Sequence, residues 1–183
     1  KREQGFCGNC GTPLYATSAG AGPKTYGLRV GSIRQRGELW AERLEVRNAA
    51  FGPVASTDLR RGEIEVLGQR VKIDAATQLV GDGGAAVGLG AFAPGSFVAV
   101  SGLRRADGSV AATRIESTAT RDRVSVSGPL AANARGVAAI GALEIVTAGG
   151  DAPTVAIGRA AFVSGRVDAQ GALRADRVEP LAH

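Results

Sequence analysis

Short alternating runs dominate the chain: Glu63-Ile-Glu-Val-Leu67, Arg70-Val-Lys-Ile73, Ser96-Phe-Val-Ala-Val100 and Arg123-Val-Ser-Val126. Alternation at period two puts one face of a strand in a core and the other in water, and no long stretch repeats at helical period. Candidate strands recur about every 8–12 residues, with turn glycines between them, which favours a barrel or sandwich over βαβ units. The expected fold class is all-β.

The pattern repeats. Asp107-Gly-Ser-Val-Ala-Ala-Thr-Arg-Ile-Glu116 recurs as Gln170-Gly-Ala-Leu-Arg-Ala-Asp-Arg-Val-Glu179, an offset of 63 residues that also relates Val100-Ser-Gly102 to Val163-Ser-Gly165. Gly52-Pro-Val-Ala55 matches Gly128-Pro-Leu-Ala131, and Gly62 and Gly68 match Gly136 and Gly141. The second copy is shorter because it largely lacks a counterpart of the Gly-rich segment from Val80 to Pro94. Five strands with the only long connector between the third and fourth is the order of an OB-like Greek-key barrel, with a small sandwich as the alternative. The ending Arg36-Gly-Glu-Leu-Trp-Ala-Glu-Arg-Leu-Glu45 echoes the last two strands of a copy without the first three. The reading is two tandem OB-like Greek-key barrels, 40–120 and 121–183, preceded by a zinc-knuckle-like β segment, 1–39. The strands 26–33 and 38–46 are expected to pair.

Composition narrows the function classes. At 183 residues and 44% hydrophobic the chain can bury a core, and no apolar run is long enough for a transmembrane helix. The sequence contains no methionine and its first residues lack the apolar stretch of a signal peptide, so a processed or truncated product is expected. The net charge of +5 is concentrated in residues 1–39, which carry six basic and two acidic side chains; beyond them the signs alternate. Nucleic-acid binding is not expected, because a continuous basic face with stacking aromatics is missing from the pattern.

Cys7-Gly-Asn-Cys10 has the spacing of a metal knuckle, but these are the only two cysteines and the one histidine is His183. A structural zinc takes four N or S ligands, so this is half a site. Three readings stay open: an orphaned thiol pair, a zinc shared with a second chain as a dimer, or redox use. Gly81-Asp-Gly-Gly-Ala-Ala-Val-Gly-Leu-Gly90 lacks the Gly-Lys-Ser/Thr ending of a phosphate loop and reads as a flexible connector. No catalytic constellation stands out, and carboxylates beside arginines, as in Asp58-Leu-Arg-Arg61 and Asp176-Arg-Val-Glu179, read as turn charges and cross-strand pairs. OB-like barrels often bind across strands two and three, yet the candidate strands 63–74 and 137–147 contain no aromatic residue.

Two resemblances follow. Residues 5–39, with Gly-Phe-Cys-Gly-Asn-Cys-Gly-Thr-Pro-Leu-Tyr and Tyr26-Gly-Leu-Arg-Val-Gly-Ser-Ile-Arg-Gln-Arg-Gly-Glu-Leu39, resemble the C-terminal part of the glutathione-dependent formaldehyde-activating family. That resemblance implies a β-tent fold and gives Cys7 and Cys10 the role of structural-zinc ligands; the family's N-terminal pair and catalytic Cys cluster are missing here. Residues 40–183, through Val46-Arg-Asn-Ala-Ala-Phe-Gly-Pro-Val54, Val66-Leu-Gly-Gln-Arg-Val71 and Val98-Ala-Val-Ser-Gly-Leu103, resemble a bacterial β-domain family of unknown function whose OB-like units occur in tandem in exported proteins. The expected function is a non-enzymatic β-barrel binding or structural module with a vestigial zinc knuckle, its ligand or protein partner unassigned. The alternative is a fragment of a zinc-dependent carbon-sulfur lyase. The first reading implies a periplasmic or extracellular location, the second a cytoplasmic one.

Overall fold

In a computed structural model of the chain, residues 2–6, 13–18, 26–28, 47–147 and 155–181 are described. Cys7, Cys10, His183 and the expected strand 38–46 lie outside them. The chain divides into two compact units, Lys1–Glu45 and Val46–His183. In the first, β1 (Arg2–Phe6), β2 (Pro13–Ser18) and β3 (Tyr26–Leu28) form an antiparallel sheet in the order β1-β2-β3, with Gln4 opposite Ala16 and Thr17 opposite Tyr26.

The second unit holds the alternating runs. Its first half comprises β4 (Ala50–Asp58), β5 (Glu63–Val66), β6 (Gln69–Lys72), β7 (Gln78–Val80), β8 (Phe97–Arg104) and β9 (Val110–Ser117). β4 pairs antiparallel with β5, β5 with β6, β9 with β8, and β8 with β4 again; β6 meets β9 in parallel. These five strands close a barrel in the OB-like order, as the run of alternating segments leads one to expect. Val54, Ile64, Val66, Val71, Val98, Val100, Val110 and Ile115 fill it and are essentially inaccessible. Each such side chain stabilises the fold by about 1.5–3 kcal/mol through burial.

Closure depends on β4 serving two partners. Its start pairs with β8 and its end with β5, and the register shifts between Val54 and Ser56, a bulge that bends the strand. Gly52 lies beneath the Leu67 side chain, where a Cβ would come within 2.8 Å of Leu67 Cγ. Leu67 and Gly68 form the two-residue turn between β5 and β6 with φ of 50° and 65°, the positive values that such a hairpin turn needs. For Leu67 this left-handed backbone costs about 1–3 kcal/mol, which burial of its side chain offsets by a similar amount.

The connector between β6 and β8 is more ordered than its composition suggests. It contributes β7, parallel to β9, and two single-turn 3-10 segments, Asp82–Gly84 and Leu89–Ala91. The Gly81 amide donates to the Ala85 carbonyl at 2.8 Å, and the Val87 amide to Leu79 at 3.1 Å. Phe92 then turns into the core with no exposed surface, and its carbonyl accepts the Thr57 hydroxyl at 2.5 Å. An apolar ring within a glycine-rich stretch gives the segment something to bury, and that anchors it.

The second half comprises β10 (Val124–Pro129), β11 (Ala131–Ala132), β12 (Ala138–Ile140), β13 (Leu143–Thr147), β14 (Ala160–Val167) and β15 (Leu173–Pro180). β10 pairs with β14, β14 with β15, β12 with β13 and β11 with β12, all antiparallel, while β13 runs parallel to β15. β10 also pairs with β4, setting Ser125 opposite Phe51 and Val126 opposite Ala50, so the sheet continues from one half to the other.

A polar clasp reinforces that join. Gln69, 1% exposed, donates through Nε2 to the carbonyls of Leu67 (2.9 Å) and Ile140 (2.6 Å). Its Oε1 accepts from Arg104 Nη2 at 2.8 Å, and the same nitrogen reaches the Ser127 carbonyl at 2.9 Å. Burial lowers the pKa of Arg104, and its Nε has no hydrogen-bond partner among the described residues. The Ala142 amide closes the join on the Gly68 carbonyl at 3.1 Å.

Candidate functional site

The outer face of the continuing sheet is set by the same alternation that builds its core. Val124, Val126 and Val163 point inward, which turns Ser125 and Ser164 outward. The registers then align one row across four strands: Phe51 on β4, Ser125 on β10, Ser164 on β14 and Arg177 on β15. Two small hydroxyl side chains between two large ones leave a depression. The resulting groove holds about 700 Å³, with Arg121, Arg123 and Arg166 among the residues around it.

One neighbouring row sets Ser127, Phe162 and Glu179 side by side. Phe162 is 8% exposed, and the guanidinium carbons of Arg47 and Arg177 lie 5.2 Å and 5.7 Å from its ring centre. Cation–π attraction and ion pairing act together here, because Glu179 accepts from both arginines, at 2.7 Å from Arg47 and 2.6 Å from Arg177 Nε. The Arg177 hydrogen bond is the main reason the Glu179 carboxyl lies below its ordinary pKa. Arg123 pairs with Asp176, and Arg174 with Asp168 at 3.1 Å.

Arg121 and Arg166 differ from these. Both are exposed, and neither has an ion-pair partner among the described residues. Arg166 sits directly opposite Arg174 in the β14/β15 register, where like charges repel. Guanidinium forks over a serine floor can hold oxyanion groups by charge-assisted hydrogen bonds.

Strands two and three of the closed barrel, where OB-like folds often bind, offer less. Asp107 takes Lys72 at 2.8 Å and Arg70 at 3.6 Å, and the hydrogen bonds from Lys72 and Ser109 hold its carboxyl far below the usual range. A smaller depression of about 240 Å³ beside them mixes Asp58, Glu63 and Glu65 with Arg61 and Arg70. Arg61 answers Asp58 at 3.7 Å and Arg70 answers Asp107, while Glu63 and Glu65 have no ion pair among the described residues, so this face has no cation to spare. Asp58 Oδ1 also accepts the amides of Arg60 and Arg61 at 2.9 and 3.0 Å, the turn role read from that segment.

Of the candidate metal ligands, Cys7 and Cys10 fall in the segment between β1 and β2, outside the described residues. Among the described residues no group of three or more His, Cys, Asp or Glu could hold a metal ion, and no helix is long and apolar enough to cross a membrane. The arginine groove escaped the sequence reading because its members come from four separated segments. The available signal was the substitution of arginine, at 166 and 174, for Leu103 and Ala111 at the 63-residue offset.

Residues 51–116 match the family model described as a domain of unknown function (DUF5666). The matched span runs from the second residue of β4 to the penultimate residue of β9, so the match covers the closed five-stranded barrel. No curated protein and no solved structure matches the chain. The formaldehyde-activating resemblance of residues 5–39 finds no support in these comparisons, whereas that of the barrel to a bacterial family of OB-like β domains does.

Proposed function

We propose that the chain is a non-enzymatic binding module of two tandem OB-like barrels, the second formed by β10 to β15, and that the arginine-lined groove is its binding surface. The pairing supports a second barrel: with β10 and β11 taken as one strand interrupted at the buried Leu130, the neighbours run first-second-third-fifth-fourth-first, as they do in β4 to β9. The hairpins support a repeat. Gly102 faces Ala112 and Gly165 faces Ala175, each beside a bulge, and every residue pair of β8/β9 recurs in β14/β15 63 positions on. Gly108 and Gly171, with φ of 79° and 82°, occupy the same place in the two turns.

The observation that carries the binding role is a pair of guanidiniums, Arg121 and Arg166, with no ion-pair partner among the described residues, beside a serine-floored groove. Thermal unfolding of the full chain with sulfate, phosphate, citrate or glucuronate tests it. At least one anion should raise the midpoint, since a ligand of the folded state stabilises it. The double variant Arg121→Ala, Arg166→Ala should lose that response. No response to any anion, or the same response in the variant, would contradict the role.

A further inference from the structure

We propose that the groove docks an acidic peptide segment, an extended stretch with repeated Asp or Glu side chains supplied by a partner protein; this rests on the binding-module reading above. The face already holds such a segment of its own. β15 is an extended strand whose Asp176 and Glu179 are gripped by Arg123, Arg47 and Arg177. Arg121 and Arg166 continue that array with no ion-pair partner among the described residues, and the groove's lining arginines outnumber its single lining carboxylate, Asp122. The Arg166–Arg174 pair supplies a second argument: the corresponding pair in β8/β9 is Leu103–Ala111, which carries no charge. Arg174 is already answered by Asp168 at 3.1 Å, so of the two facing guanidiniums Arg166 is the one left for an incoming carboxylate.

The aromatic residues argue against bases or sugar rings as the main contact. Phe162 is buried beneath two guanidiniums, and half-buried Phe51 is engaged edge-to-face with Phe97 at 5.1 Å between centroids. A base-stacking site needs an open ring face. What remains accessible is charge, hydroxyl and a small apolar border at Phe51, the complement of an acidic residue with an aliphatic neighbour. A groove of about 700 Å³ accommodates a few such side chains.

Fluorescence anisotropy tests this with the full chain and a fluorescein-labelled peptide of alternating glutamate and alanine at low salt. The peptide should bind, and Arg121→Ala with Arg166→Ala should weaken it at least about tenfold. Arg60→Ala with Arg61→Ala, exposed residues outside the groove, should leave it unchanged. Heparin and oligo-dT serve as unlabelled competitors. If either displaces the label at lower concentration than the unlabelled peptide, the ligand class is wrong while the groove remains a binding surface. No peptide binding, or binding indifferent to Arg121 and Arg166, would overturn the proposal; the anion response of the unfolding midpoint then shows separately whether the groove binds at all.

Discussion

The halves β4 to β9 and β10 to β15 close on hairpins of one register and differ in what they display. Their closing hairpins have the same bulge, the same glycine turn and the same i,i+2 ion pair: Arg114 Nε to Glu116 at 3.0 Å in one, Arg177 Nε to Glu179 at 2.6 Å in the other. Around that common frame the outward positions diverge. Ala99, Leu103, Ala111 and Thr113 stand where the second hairpin has Phe162, Arg166, Arg174 and Asp176. The lesson is that the pleat fixes where side chains point, while the outward set is free to change because only surface side chains cover it, as Arg47 and Arg177 cover Phe162. Inward positions stay aliphatic in both, and the outward ones carry the charges and hydroxyls on which the proposed binding rests.

The largest expected effect lies where the halves differ inside. Phe92, from the connector that the second half largely lacks, is wholly buried. Phe92→Ala should cost about 3–5 kcal/mol in a urea unfolding experiment, since it removes a ring and leaves a cavity. A cost below about 1 kcal/mol would mean that the connector is only draped over the barrel.

Next comes the shared bulge. A Cβ at Gly102 would collide with the Ala111 carbonyl oxygen, and one at Gly165 with the Arg174 carbonyl oxygen. Gly102→Ala and Gly165→Ala should each cost about 3 kcal/mol, because backbone rather than a flexible side chain must move. Denaturation midpoints check this, and tolerance at one site alone would break the equivalence of the hairpins.

Much of this scaffold was legible in the sequence. Period-two runs located the strands, and the 63-residue offset located the hairpins, because turns and bulges demand glycine at fixed places. The groove was not legible, since Phe51, Arg123, Arg166 and Arg177 come together only through the β4–β10–β14–β15 pairing order. Nor did glycine content reveal that the connector is pinned: one buried phenylalanine outweighs its flexible neighbours. The clasp of Gln69 and Arg104 was equally hidden, as a polar pair carries no periodic signal.

The smallest expected effect separates the halves by acid. Asp107 stands where the second hairpin has Gln170, and its carboxyl titrates well below the ordinary value near 3.9 because Lys72 and Ser109 bind the charged form. A group depressed on folding contributes stability that is complete above its unfolded pKa and is lost as pH falls below about 4. Asp107→Asn should therefore lower the melting temperature slightly at neutral pH and flatten its decline in acid. Melting curves from neutral pH downward that keep the wild-type slope in the variant would show that other carboxylates set the acid limb.

The measurement that bears most directly on a shared hairpin frame with one proposed binding face is an amide NMR titration of the full chain with the glutamate–alanine peptide. Shifts should concentrate at Ser125, Ser164, Arg166 and Arg177, with their counterparts Ser101, Leu103 and Arg114 unmoved. Equal shifts in both hairpins, or shifts confined to the first, would contradict the account.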